Sequence, residues 1–151
     1  MKKFAFIVAC SLYLVFSPAI VFSQRAAAKK VAVLNVELKN MVANAGNVIV
    51  GVYGPNNKFP APGKQLKVYK FKTKGTEMVV SLRNLKFGTY ALAIYQDVNG
   101  SGKINKNFIG IPNEPYAFSN NYRPTVKAPN FNDCKFEYNA AQKTIAVEMI
   151  R

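Results

Sequence analysis

After an apolar run at its start, the chain alternates hydrophobic and polar residues in short stretches separated by Gly, Pro and Asn. A strand points successive side chains to opposite faces, so a period of two predicts half-buried β-strands. Val31–Leu38 places Leu34, Val36 and Leu38 on one face and Asn35 and Glu37 on the other. Val48–Tyr53 is β-branched along one face, a shape that suits a pleated surface. Leu66–Lys72 carries lysines on its solvent side, and Glu77–Leu82 aligns Met78, Val80 and Leu82. Tyr90–Gln96 is apolar on both faces, with Tyr90, Leu92 and Ile94 opposite Ala91, Ala93 and Tyr95, as a central strand requires. Lys135–Tyr138 and Thr144–Ile150 bring the total to about seven strands.

The breaks between these stretches are rich in turn formers. Gly46 lies in the turn Asn44–Asn47, Gly54 to Asn57 ends the second strand, and Pro60 and Pro62 bar a helix from the loop that follows. Phe87, Gly88 and Thr89 lead into the central strand, and Asn139–Gln142 joins the last two. No helical period of useful length occurs. The expected fold is all-β, a single antiparallel Greek-key β-sandwich. Residues from about Gly100 to Asn132 exceed an ordinary connection, and loops of that length are usually functional or disordered. Of the two, one long ordered loop is expected.

The first residues are a different kind of segment. Lys2 and Lys3 precede an apolar run from Phe4 to Phe22, and the small residue Ser23, with Val21 two before it, makes a cleavage site ahead of Gln24, with Ala26 to Ala28 as alternatives. Residues 1–23 read as a cleaved secretory signal peptide and 24–151 as the single domain. Export implies a periplasmic or extracellular location, with no integral membrane segment after cleavage. Ile7, Val8, Ala9 and Cys10 follow the order of a bacterial lipoprotein box, but strong hydrophobicity continues past Cys10, so lipid anchoring is set aside. Cys134 is then the one thiol of the mature chain. It is read as a buried apolar residue at the start of a strand, in keeping with the usual burial of free cysteine.

Charge adds a bias toward anionic partners. The chain has 21 Lys and Arg against seven Asp and Glu, a formal charge of +14, and loss of a leader with Lys2 and Lys3 lowers it by two. Such a field attracts acidic polymers and phospholipid headgroups. The lysines are dispersed, apart from Lys29 with Lys30 and the series Lys64, Lys67, Lys70, Lys72 and Lys74, so a solvated surface is the plainer reading.

Candidate chemistry is concentrated in the polar loop after the central strand. Asp97, Asn99, Ser101, Lys103 and Asn105 occupy alternate positions around Gly100 and Gly102, as the first nine residues of a calcium loop do. Calcium is the one cofactor this pattern admits. Position twelve, which should be a bidentate Glu, is Phe108, and Asp97 is the loop's one formal anion unless Glu114 folds back to it. The favoured alternative is a turn in which Asp97 and Asn99 accept nearby backbone N–H groups and the glycines take positive φ. Beyond it, Tyr116, Phe118, Asn120, Asn121 and Tyr122 offer a recognition surface, or else pin the long loop to the sandwich.

Gly88 to Tyr90, then Asp97, Asn99, Gly100, Gly102 and Lys103, then Gly110 to Pro112, Glu114, Tyr116 and Phe118 to Asn121, resemble the bacterial family called domain of unknown function 2141. The resemblance spans most of the mature chain. It implies a small exported transthyretin-like, or prealbumin-like, β-sandwich, and it implies no established activity. Members of that family often carry an acid where Asn105 stands and Asn where Ser101 stands, so this chain departs toward weaker metal binding.

The absences are informative about reaction class. With no His, every His-dependent triad and His-ligated metal site is excluded. One mature Cys excludes thiolate zinc and iron–sulfur clusters, and no phosphate-cradling P-loop occurs. A carboxylate-pair hydrolase using two among Asp97, Glu114, Asp133 and Glu137 has no spacing rule to test, and nothing favours it. The sequence therefore points to a non-catalytic binding or accessory module acting through residues 97–121 on an envelope protein or glycan. Its alternative is electrostatic attachment to an anionic envelope polymer or lipid surface, ahead of nucleic acid.

Overall fold

A computed structural model describes residues 32–151. The leader, its cleavage site and the Cys10 motif lie outside the described residues. Eight strands run in the order β1 (Val33–Lys39), β2 (Asn47–Tyr53), β3 (Lys67–Lys72), β4 (Met78–Arg83), β5 (Gly88–Asp97), β6 (Tyr116–Phe118), β7 (Phe136–Tyr138) and β8 (Gln142–Glu148). A single 3-10 turn, Ser119–Asn121, and a short helix α1, Phe131–Cys134, lie between β6 and β7.

Two sheets result. One has the order β4-β1-β8, the other β3-β2-β5-β6, with β7 joining the same edge of β5 as β6. The core between them follows directly from the alternation. Leu34, Val36 and Leu38 of β1 with Val80 and Leu82 of β4 form one side; Val48, Val50 and Val52 of β2 with Leu92 and Ile94 of β5 form the other. All of these are at most 2% exposed, so each contributes on the order of 1.5–3 kcal/mol of burial.

Three expectations are corrected. The strands number eight because Tyr116–Phe118, inside the long loop, pairs antiparallel with Ala93–Tyr95. A run of three residues is too short to display a period, and its strand character comes from the edge of β5. The sheets are not wholly antiparallel, since β8 lies parallel to β1, with Val36 beside Ile145 and Leu38 beside Val147. Alternation assigns faces but is blind to strand direction. Cys134 ends α1 instead of opening a strand; Asp133 Oδ2 accepts the Asn130 N–H at 2.9 Å and turns the chain into that helix. Its burial is as expected, at 0% exposed.

The last strand also ends earlier than its apolar pattern suggests. β8 stops at Glu148, and Ile150 crosses to the other sheet, where it exchanges backbone hydrogen bonds with Tyr116 at 3.0 and 2.7 Å. The edge of β5 between β6 and β7 is completed by a side chain. Ser119 Oγ, fully buried, accepts the Leu92 N–H at 2.8 Å and donates to Cys134 O at 2.6 Å. One hydroxyl thus satisfies groups that would otherwise be buried without partners.

Candidate functional site

The polar loop grows out of the end of β5. Asp97, 1% exposed, turns both carboxylate oxygens onto the chain ahead, accepting the N–H of Ser101 at 2.9 Å and of Gly102 at 3.0 Å. Asn99 Oδ1 shares the Ser101 N–H at 3.0 Å. Gly100 and Gly102 have φ of 76° and 77°, a backbone that non-glycine residues rarely adopt. Gly46 has a different constraint on the same strand end: at φ 61° it lies so close that a Cβ would fall 1.8 Å from Asp97 O.

Glu114 does return to the loop. It is 7% exposed, and its two oxygens accept the N–H of Val98 at 2.9 Å and of Asn105 at 3.0 Å, one at each end of the loop. The oxygens of the calcium pattern also converge: Ser101 Oγ lies 2.9 Å from Lys103 O, 3.4 Å from Asn105 Oδ1 and 3.5 Å from Asp97 Oδ1. Phe108, at position twelve, points away at 99% exposed. Among the described residues no group of three or more His, Cys, Asp or Glu is placed to hold a metal. Asp97, Asn99 and Glu114 all accept backbone amides, which is the arrangement of a closed turn.

That loop is one wall of a groove on the outer face of the larger sheet, a feature the sequence reading missed. Register builds its floor as two rows across four strands. One row is Lys70, Ile49, Tyr95 and Tyr116; the next is Val68, Gly51, Ala93 and Phe118. Gly51 and Ala93 sit side by side, so the second row has a low centre between Val68 and Phe118. The groove encloses about 780 Å³ and is walled by residues 60–65, 102–112 and 124–128. Among the described residues four lysines line it, Lys70, Lys103, Lys106 and Lys127, and no Asp or Glu does. The one signal that pointed here was the apolar outer face of the central strand.

Tyr53 and Tyr95 hold the walls. Tyr53 Oη donates to Pro60 O at 3.0 Å and Ala61 O at 3.1 Å, and burial pushes its pKa up to about 12. Tyr95 Oη donates to Gly102 O at 3.3 Å; burial raises its pKa, helped by the nearby Asp97 and Glu114 carboxylates. Both phenols therefore remain donors at neutral pH.

The remaining candidate residues divide between two places. Tyr116 and Phe118 line the groove, their rings 6.0 Å apart, and Phe118 also meets Phe59 at 5.9 Å. Asn120 and Asn121 lie elsewhere: Asn120 donates to Lys135 O, and Asn121 bonds Ala146 O and the Glu148 N–H. Tyr122 follows them and is half-buried outside the groove lining. The four carboxylates of the hydrolase reading are accounted for separately, Asp133 capping α1 and Glu137 accepting the Thr89 hydroxyl at 2.7 Å.

Residues 36–146 match the family described as an uncharacterized protein conserved in bacteria (DUF2141). No curated protein and no solved structure matches the chain.

Proposed function

The chain belongs to the bacterial DUF2141 family, and on that premise we propose that it is a non-catalytic binding module of the cell envelope whose site is the groove above β2 and β5. The leader-like start supports export to the periplasm or cell surface. The order of the two sheets is compatible with a transthyretin-like Greek-key sandwich carrying its site on one outer face. The observation that carries the reading is the low floor at Gly51 and Ala93, roofed by loops that the Asp97 and Glu114 carboxylates hold closed. A groove of several hundred Å³ with an apolar lining and few polar groups is the usual form of a ligand site.

Ala93→Phe fills the centre of this floor without substituting any loop residue. Envelope extract passed over immobilised mature chain and over the variant, each washed and extracted for mass spectrometry, tests the reading. A compound retained by the first and absent from the second is expected. Equal retention by both would place any binding away from the groove.

A further inference from the structure

We infer that the ligand of this groove is a single-chain anionic amphiphile, a long-chain fatty acid carboxylate, lying along the floor with its head among the lysines. The inference rests on the groove being the binding site and adds the chemistry of its occupant. Three observations select that chemistry. The trough runs over Ala93 between Val68 and Phe118, while Gly51 is buried beneath the Gln65 side chain, whose Cγ a Cβ at Gly51 would approach to 3.0 Å. What Gln65 leaves open is narrow, which suits an unbranched body.

The second observation is charge. Lys70, Lys103, Lys106 and Lys127 border the groove, no carboxylate lines it, and none of the four forms an ion pair among the described residues, where the sole pair is Arg123 with Glu148 at 3.4 Å. Four uncompensated ammonium groups around an apolar trough raise the local concentration of an anion and oppose a cation. Lysine suits a head group of variable position, since its stem lies along apolar surface while the charge reaches outward.

The third is the mouth. Val126 and Ile111 line the groove at 96% and 52% exposed. Apolar side chains at loop tips beside lysines give a free chain its first contact. The concavity of the floor favours one chain inside it over a flat bilayer lying across it.

Calorimetry of the mature chain with octanoate, decanoate and laurate below their micelle concentrations tests the inference. Dodecyl maltoside and dodecyltrimethylammonium are the neutral and cationic controls. Each two-carbon extension is expected to tighten binding by roughly tenfold, from about 0.8 kcal/mol per buried CH₂. Laurate should bind more tightly than the maltoside, and the ammonium most weakly. Ala93→Phe should abolish laurate binding. The doubly substituted Lys103→Gln, Lys106→Gln chain, altered only at exposed positions, should weaken laurate several-fold and leave the maltoside unchanged.

Laurate and maltoside binding alike, both lost in Ala93→Phe, would overturn the anionic inference while keeping the groove as the site. Binding to vesicles of anionic phospholipid without binding of monomeric laurate would overturn it in favour of a membrane surface. No binding of any chain would overturn it outright, and the extract experiment would then decide separately whether the groove binds anything.

Discussion

Glu114 accepts the backbone N–H of Asn105 at 3.0 Å while its other oxygen accepts that of Val98 at 2.9 Å, so one carboxylate clasps both ends of the polar loop. Glu114→Ala leaves two amides without acceptors in partly buried surroundings. Hydrogen bonds to a charged group contribute roughly 1.5–3 kcal/mol each, and a loss of about 2–4 kcal/mol is expected in urea unfolding. Amide exchange at Val98 and Asn105 should accelerate ahead of exchange in β1, because the loop opens locally first.

Asp97 tests whether the loop depends on an ion. Its oxygens already accept the Ser101 and Gly102 amides, so thermal midpoints of the mature chain are expected to be the same in calcium and in EDTA. Asp97→Ala should lower the midpoint equally in both. A calcium-induced rise in the parent that disappears in the variant would instead establish an ion site.

Tyr138 is fully buried between Phe87 and the core, and its hydroxyl has no hydrogen-bond partner among the described residues. A buried polar group without a partner is costly. Tyr138→Phe removes the oxygen and keeps the ring, so stability should rise by about 1 kcal/mol. An unchanged or lower urea midpoint would show that the hydroxyl has a partner in solution.

Alkaline pH should act through Cys134. Burial, with a smaller contribution from Asp133, pushes its thiol from 9.0 up to about 12. Between those values the unfolded chain gives up the proton and the folded chain keeps it, so the folded state binds more protons and stability falls as pH rises. The contribution is fully present below pH 9. Unfolding midpoints measured from pH 8 to 11 should decline more steeply in the parent than in Cys134→Ala. The remaining decline in the variant is assigned to the phenols that burial also pushes up, Tyr53 to about 12 and Tyr90, Tyr95 and Tyr138 in the same direction.

Much of the framework is legible as alternation. Leu34, Val36 and Leu38 face the core, as do Leu92 and Ile94, because a pleated strand ties side-chain direction to residue parity. The turn at Asp97 is legible for a similar reason: carboxylate, amide and glycine spacing acts over a few residues, and the backbone bonds of Ser101 and Gly102 form within that span. Family membership follows from the same local motifs taken together.

Parity carries no information about which strand lies beside which, or in which direction. The parallel pairing of β1 with β8 and the three-residue strand β6 arise from contacts between distant segments. Glu114 could be suspected of returning to the loop, but its two amide partners required the chain's path. The groove is the clearest case. Gly51 and Ala93 have little meaning as separate small residues forty-two positions apart, and they become a floor only when the register of β2 with β5 sets them side by side. Local spacing thus specifies faces and turns, whereas a concave surface belongs to the relative placement of strands, which hydrogen-bond register and core packing establish together.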